Sequence, residues 1–411
     1  MKPTEYAPGR SPAAPVDSSW LNRRCLQAIL KRLPHFDCGV LDLYLPDGRH
    51  LRFGEFHEDQ PHAEVRLHRY RSVRRLLRGG LIGWAESYMD GEWDSPDLCG
   101  LVRWALENET AMRDFMKGHP LLQLFNRLLH LRRNNSRSGS RRNIEYHYDL
   151  GNAFYRLWLD RTMTYSAALF DTESSLEAAQ LNKYRRICKM LNLQPGQHVL
   201  EIGCGWGGFA EVAAAEFGAC VDGVTLSSEQ LAFARRRAHE RGLDALCQFS
   251  LTDYRDLDRQ YDHIVSIEMF EAVGESHWPE YFETLKRCLR PDGKAVLQII
   301  SIADERFENY RRGADFIQRY IFPGGMLPSP RVLAQAINQG DLRLTDSLLF
   351  GEDYARTLAI WHRSFTAHWP EIQSLGFDER FRRMWSYYLG YCEGGFREGT
   401  IDVGLYCIEH Q

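Results

Sequence analysis

The chain has no run of about 18 consecutive apolar residues, which leaves no segment able to span a bilayer as a single helix. It has no excess of positive charge either: 51 Lys and Arg stand against 55 Asp and Glu, a formal net charge of −4. General affinity for nucleic acid needs a basic domain, so no nucleic-acid partner is expected. The ten cysteines lack the paired spacing of a disulfide framework or a zinc site. Several (Cys204, Cys220, Cys247 and Cys288) fall inside apolar stretches that read as core elements. Reduced, cytosolic thiols and no metal are therefore expected. Residues 1–19, rich in Pro, Ala and Ser, lack the apolar centre of a secretion signal and read as a disordered tail. The full length, 411 residues, has room for two or three domains.

Against those absences stands one stretch dense in glycine, Val199-Leu-Glu-Ile-Gly-Cys-Gly-Trp-Gly-Gly-Phe-Ala210. It reads as a buried strand, a tight turn and a helix start made of small residues. Gly203, Gly205 and Gly207 let the backbone lie against a flat ligand, because glycine carries no Cβ. Gly203, Gly205 and Gly208 also satisfy the dinucleotide fingerprint G-x-G-x-x-G. A dinucleotide site wants in addition an acid at the end of the second strand, about 20 residues on, for the ribose. The second strand here, Cys220-Val-Asp-Gly-Val-Thr-Leu-Ser227, ends on Thr225, and Asp222 lies too early in it. Glu201, just ahead of the glycines, is placed to face the ammonium end of a ligand. S-adenosylmethionine, a nucleoside joined to a cationic methionine, fits this pattern better than a nicotinamide dinucleotide.

Residues 20–130 read as a first unit. Ser72–Met89 mixes basic with apolar residues, and Leu121–Leu131 repeats apolar residues at helical spacing. The run 131–142 that follows is polar and basic. It reads either as a solvated linker or as a basic apron beside an apolar face, the pairing that holds a peripheral protein on anionic lipid. From Asn143 onward strands and helices alternate. A helix is expected over Leu176–Leu193 and strands at His198–Ile202, Ala219–Thr225, Gln248–Leu251, Asp262–Glu268 and Lys294–Ile302. A further helix falls at Trp278–Leu289, with a turn at Pro291-Asp-Gly293. Near-continuous apolar strands between helices indicate a parallel sheet covered on both faces. Alternation at Ile401, Val403, Leu405 and Cys407 adds a half-covered antiparallel last strand. An open α/β sheet binds ligands at the carboxyl ends of its strands, where the glycine loop, Thr225, Asp253 and Glu271 all fall.

Several separate motifs now point the same way. Tyr146-His-Tyr-Asp-Leu-Gly-Asn-Ala-Phe-Tyr155, Met163-Thr-Tyr-Ser166, Glu201–Gly208, Asp253-Tyr-Arg-Asp-Leu257, Met269-Phe-Glu-Ala-Val-Gly274, Tyr320-Ile-Phe-Pro-Gly-Gly325 and Tyr387-Tyr-Leu-Gly-Tyr-Cys392 resemble the cyclopropane fatty acid synthase family. The likeness covers about Asn143 to the end, with a weaker echo in Trp84–Trp93. It implies a class I S-adenosylmethionine-dependent methyltransferase fold, Rossmann-like, with a mostly parallel seven-stranded sheet. That domain would occupy 143–411, behind a smaller lipid-binding domain at 20–130. The implied activity is methylation of a cis double bond in an unsaturated acyl chain of a membrane phospholipid, through a carbocation, followed by ring closure. The implied place of work is the inner face of the membrane, where the protein would be cytoplasmic and peripherally bound; a homodimer is left open.

The resemblance also assigns residues. Tyr165, Ser166, Glu201, Gly203, Cys204, Gly205, Gly207, Thr225, Leu226, Ser227, Gln230, Asp253 and Tyr254 would hold the donor. Ser227 and Gln230 also spell a helix capping box, which would account for both on structural grounds. Aromatic faces can steady a carbocation without attacking it. Among Tyr165, Phe170, Phe270, Tyr310, Tyr320, Trp361, Tyr387 and Tyr388 only Tyr165 is expected at the site, together with Tyr354. The family takes the last proton with a bound bicarbonate, held by a Cys, a Glu, a strand His and a Tyr. Glu271 and Tyr354 match; the Cys position is Ala167, the strand His is Gln298, and a His that often follows the Glu is Ala272. Gln298 and the Ala167 backbone still offer donors for bicarbonate. Cys392 matches a cysteine the family treats as catalytic, though a buried lining thiol explains it equally. Alternatives are a fatty acid methyltransferase that stops at a methyl-branched or methylene chain, a non-catalytic lipid-binding relative, and a small-molecule or RNA methyltransferase on the same fold.

Overall fold

A computed structural model describes residues 4–6, 20–31, 36, 38–112, 150–172 and 175–411. The amphipathic segment Leu121–Leu131 and the basic run 131–142 lie outside the described residues, as do most of residues 1–19. By contacts the chain divides into two compact units. The first joins Met1–Leu129 to Arg312–Arg319 and Trp369–Glu398, and the second holds His130–Arg311, Tyr320–His368 and Gly399–Gln411. The sequence reading gave everything after residue 142 to one domain, so the grouping of Trp369–Glu398 with the N-terminal part differs from it.

In the first unit strands β1 (Thr4–Tyr6), β2 (Val40–Tyr44), β3 (His50–Phe53), β4 (His62–Leu67) and β5 (Trp93–Asp94) form a sheet of order β1-β3-β2-β4-β5. Helices α1 (Trp20–Leu30), α2 (Arg71–Met89) and α3 (Leu98–Glu107) pack with it. The late helix belonging to this unit, Glu379–Arg397, is capped by Asp378, whose carboxylate accepts the Phe381 N–H at 2.8 Å. It joins the unit for two physical reasons. Its Gly390 and Gly394 press onto α3 so closely that a Cβ on either would sit 2.7 Å from Leu98 or Val102. Its Arg383 donates to the Tyr88 and Trp93 carbonyls and to Asp94, at 2.5, 2.6 and 2.6 Å. Neither contact can be read from local pattern. Two basic residues of α2 are already paired: Arg71 with Glu92, and Arg75 with Glu86, Asp90 and Glu92.

The second unit carries a seven-stranded sheet. Its strands are β6 (His198–Ile202), β7 (Cys220–Thr225), β8 (Cys247–Leu251), β9 (Tyr261–Ile267), β10 (Leu289–Ile302), β11 (Leu342–Leu349) and β12 (Ile401–His410). They lie in the order β11-β12-β10-β9-β6-β7-β8, and only β12 runs antiparallel to its two neighbours. The strand order reverses beside β6, the switch point where open α/β sheets take their ligands. Helices α4 (Asn152–Arg156), α5 (Leu176–Leu191), α6 (Gly208–Phe217), α7 (Ser228–Glu240) and α8 (Trp278–Cys288) lie along the chain between these strands or ahead of them. The expected turn at Pro291-Asp-Gly293 is instead a bulge inside β10, where the register against β9 shifts between Leu289 and Lys294. Gly293 is required there, since a Cβ would lie 2.4 Å from the Asp262 carbonyl oxygen. No helix among the described residues is long and apolar enough to cross a membrane.

Candidate active site

β6 ends in the glycine loop, and the loop owes its shape to positive φ. Gly203, Gly205 and Gly207 have φ of 82°, 51° and 80°, a region other residues enter only with strain. Gly203 and Cys204 donate to the Val224 carbonyl, which ties the loop to β7. Two of the three glycines are also pressed by neighbours: a Cβ on Gly203 would meet Met269 at 3.0 Å, and one on Gly207 would meet Ala234 at 3.1 Å. A Cβ on Gly205 would meet nothing within 4 Å, so this glycine faces open space. Glu201 stands just before the loop, 3% exposed. Its Oε2 has no partner among the described residues, and burial pushes its carboxyl well above the usual range against the pull of Arg237. A buried oxygen left waiting beside a loop open on one side fits a polar, cationic ligand such as S-adenosylmethionine.

The other donor-site candidates gather at the ends of β7 and β8. Thr225 Oγ1 donates to Gln230 Oε1 at 3.0 Å and accepts the Ser227 N–H at 3.1 Å. Ser227 caps α7 by accepting the Gln230 N–H at 3.3 Å, but the Gln230 side chain bonds Thr225 and not the Ser227 N–H, so the cap is present without the reciprocal half of the box. Leu226 lies between them, half-buried. Asp253 forms a two-point ion pair with Arg255, Nε to Oδ1 at 2.8 Å and Nη2 to Oδ2 at 2.7 Å. Tyr254 packs edge-on to Tyr281 at 5.4 Å. Asp222, set aside in the sequence, is paired with Arg259 at 2.7 Å.

Ahead of α5, Tyr165 sits in a wall of rings. Its centroid lies 5.5 Å from Tyr155, 5.4 Å from Trp158, 5.4 Å from Trp361 and 6.5 Å from Phe322. Trp361 also meets Tyr354 at 6.1 Å, so the two expected aromatics share a neighbour. Tyr155 continues to Trp206 of the glycine loop at 5.1 Å. Five other aromatics have different surroundings. Phe270 packs into the core with Trp278, Tyr281 and Phe282, Phe170 lies under Arg356, Tyr310 accepts the Leu327 N–H, and Tyr387 and Tyr388 belong to the first unit.

A buried polar cluster lies toward the ends of β9 and β10, and it holds a residue that sequence reasoning passed over. Register pairs Gln298 with Ile267, and the next residue, Glu268, is in the left-handed region at φ 48°. A non-glycine residue there costs roughly 1–3 kcal/mol, strain found most often at functional sites. The Glu268 carboxylate collects three donors: the Ala167 N–H to Oε1 at 2.7 Å, Gln298 Nε2 to Oε1 at 2.7 Å and the Tyr354 hydroxyl to Oε2 at 2.7 Å. Lys183 also acts on it. This lysine is wholly buried, its Nζ donates to Ser166 Oγ at 2.5 Å, and Gln180 holds the Ser166 carbonyl at 2.8 Å. Burial pulls Lys183 down to about 7, opposed by the charges of Glu268 and Asp160. Burial raises the Glu268 carboxyl, opposed by Lys183 and the three donors. Gln180 and Lys183 lie on the stripe of α5 that also buries Leu176, Ala179, Tyr184, Ile187 and Leu191. Polar residues on an apolar stripe were the signal that could have found them.

Glu271 follows one turn later. Its Oε1 accepts the Ile300 N–H at 2.6 Å, while Oε2 is buried with no partner among the described residues. Burial, reinforced by the charge of Glu268, pushes its carboxyl from 4.5 to about 8. Two carboxyl groups with different surroundings divide acid from base: Glu271 keeps its proton at neutral pH, while Glu268 has the donors and the cation. Anywhere between 4.5 and 8 the folded chain holds a proton on Glu271 that the unfolded chain has released. Stability therefore falls as pH rises through that window and is level above it, by at most roughly 1.4 kcal/mol per unit. Glu271→Gln keeps the bond to Ile300 and removes this slope, so urea midpoints of parent and variant should diverge in the variant's favour from pH 5 to 8. Parallel curves would show that Glu271 ionises normally.

Cys392 belongs to the first unit. It is half-buried on the helix Glu379–Arg397, and burial, aided by the Asp315 charge, pushes its thiol far above the usual range. A thiol held protonated is a weak nucleophile and a weak base.

A sheet of this order, with a glycine loop after its first strand and a buried acid with one oxygen unpartnered among the described residues just before that loop, defines a class I S-adenosylmethionine-dependent methyltransferase. The family described as mycolic acid cyclopropane synthetase matches residues 135–405. The tuberculostearic acid methyltransferase UfaA1 of Mycobacterium tuberculosis is 42% identical over 342 residues, 80% of this chain and 79% of its own. The cyclopropane-fatty-acyl-phospholipid synthase of Escherichia coli is 38% identical over 349 residues, 83% of this chain and 86% of its own. Among solved structures, mycolic acid cyclopropane synthase CmaA1 complexed with SAH and CTAB superposes with a TM-score of 0.61 at 31% identity, covering 65% of this chain and 97% of that one. The chain belongs to the cyclopropane synthase family and is an S-adenosylmethionine-dependent methyltransferase of that type.

Proposed function

We propose that this enzyme moves a methyl group from S-adenosylmethionine to the cis double bond of an unsaturated phospholipid acyl chain and closes a cyclopropane ring. The observation that carries this reading is the buried carboxyl pair Glu268 and Glu271 at the ends of β9 and β10, with Tyr354 joining it to the ring wall around Tyr165. The donor brings a methyl group on an electrophilic sulfonium. Tyr165, Ser166, Glu201, Gly203, Cys204, Gly205, Gly207, Thr225, Leu226, Ser227, Gln230, Asp253 and Tyr254 hold it; Glu201 takes the ammonium end. For Asp253 to hold the adenine amine it must share its carboxylate with Arg255. An alkene is a weak nucleophile, so the site must hold it in line and keep water out. The ring wall does both and faces the cation that methyl transfer leaves.

A second reading, a methyl-branched or methylene product, is favoured by one observation: Ala167 and Gln298 replace the family's Cys and His beside the base. The lipid is met at the inner face of the membrane. Trp20 and Phe56 of the first unit, each 68% exposed, support that docking.

Expression in a host rich in monounsaturated phospholipid, followed by mass analysis of its fatty acids, decides the product. A gain of CH₂ with the double bond consumed and no added hydrogens means a ring. Two further hydrogens mean a methyl branch completed by a reductant of the host, and a retained double bond means a methylene chain. Purified protein gives a sharper contrast of roles. Tyr354→Phe deletes a hydrogen bond to a charged group, worth roughly 1.5–3 kcal/mol, and should lower kcat by about 10–10²-fold with donor affinity within about 3-fold. Cys392→Ala should stay within about 3-fold on both. Loss of donor binding in Tyr354→Phe, or of turnover in Cys392→Ala, would reverse these assignments.

A further inference from the structure

The positions that would hold bicarbonate by resemblance are the residue at 167, Gln298, Tyr354 and Glu271. In this chain three of the four already have an occupant: Ala167 through its N–H, Gln298 through its amide and Tyr354 through its hydroxyl all bond the Glu268 carboxylate. The fourth, Glu271, feels that carboxylate as a like charge. A carboxylate and bicarbonate present the same planar O–C–O⁻ edge, so one set of donors serves either, but not both at once. A second anion placed here would find its donors used and a negative charge beside it. The residues present therefore do not fit bicarbonate.

We propose that Glu268 is the resident base of this enzyme, standing in the place of bicarbonate, and that catalysis needs no bicarbonate. This rests on the methyl transfer proposed above and assigns its last step. The alkene π pair forms the bond to the donated methyl while sulfur keeps the pair of the broken C–S bond, leaving a neutral thioether and a cation on the other alkene carbon. One Glu268 oxygen takes a proton from the new methyl, and the freed C–H pair closes the third ring bond onto the cation. The proton ends on Glu268 and passes to water when the product leaves. Two features of the chain agree with a built-in base. Ala167 is wholly buried and smaller than the thiol it replaces, which leaves room for a side chain. The backbone at Glu268 is held at φ 48°, a conformation natural for glycine, yet carries a glutamate.

The test uses the full chain, vesicles of monounsaturated phospholipid and buffer stripped of CO₂. The parent is expected to turn over at its full rate without bicarbonate and to change less than 2-fold when millimolar bicarbonate is added. Glu268→Gln, which keeps the shape and loses the basicity, should fall about 30-fold or more with donor affinity unchanged. Glu268→Gly opens the site in a backbone that suits glycine; circular dichroism and a thermal melt check its fold, and the folded variant should lose turnover similarly and regain 5-fold or more with bicarbonate. Titration with ¹³C-labelled bicarbonate, read by NMR, gives an arm independent of activity: binding to Glu268→Gly and none to the parent. A parent that needs bicarbonate or binds it stoichiometrically, or a fully active Glu268→Gln, overturns the proposal. If the parent modifies no lipid in any buffer, the methyl-transfer reading fails instead, and the labelled-bicarbonate arm still decides who occupies the anion site.

Discussion

Gly205→Val is expected to weaken binding of S-adenosylmethionine and of its demethylated product by about 10³-fold or more, the largest single effect on the site. Gly205 has φ 51°, and a β-branched residue there is a conformational outlier. A Cβ at this position would enter space that no protein atom within 4 Å fills, so the valine side chain takes volume the ligand needs. A clash and a displaced loop together costing about 4 kcal/mol correspond to that factor. Calorimetry on parent and variant measures it, with circular dichroism and a thermal melt to show that the fold survives. The same substitution at Gly203 or Gly207 would confuse the result, because Met269 and Ala234 already crowd those positions. Retention of donor affinity in a folded Gly205→Val protein would mean that the ligand lies elsewhere.

The second large effect is on stability. Lys183→Met should destabilise the chain by roughly 1–3 kcal/mol, because Ser166 Oγ loses its buried donor and the buried Glu268 carboxylate loses a compensating charge nearby. Lys183 is wholly buried and its amine is drawn on by Glu268 and Asp160. Methionine fills similar volume, so the loss is electrostatic more than steric. Urea unfolding at pH 6, below the lysine's value of about 7, measures the effect with the amine charged. Removing both charges, as Lys183→Met with Glu268→Gln, should recover a large part of the loss, since a neutral amide does not need the cation. Strict additivity of the two substitutions would show that they do not interact. Lys183 also fixes Ser166, the neighbour of Ala167, so the single variant should lose turnover as well; it is a positioning residue, acting on the site through Ser166 and Glu268.

Local pattern made much of the second unit legible. The apolar strands at β6, β7 and β9, the capped helix α7 and the alternating strand β12 follow from rules acting over a few residues, and each lies within a residue or two of its expected place, β12 running three residues further. Pro291-Asp-Gly293 suits a turn and a bulge equally by residue type, and only pairing with β9 selects the bulge. The helix Glu379–Arg397 falls in the stretch that the family resemblance gives to the methyltransferase domain; its glycines gain meaning only when Leu98 and Val102 press on them.

The sequence by itself determined the class of chemistry: glycines whose missing Cβ atoms admit a ligand, an acid set before them, strands apolar enough to be covered on both faces, and the absence of the family's Cys and His. Tertiary structure alone decided what replaces them. Glu268 closes a strand and looks ordinary in line, but its three donors lie 101, 30 and 86 residues away along the chain. Hydrogen bonds depend on distance in space, and no periodicity of a few residues encodes separations of that length.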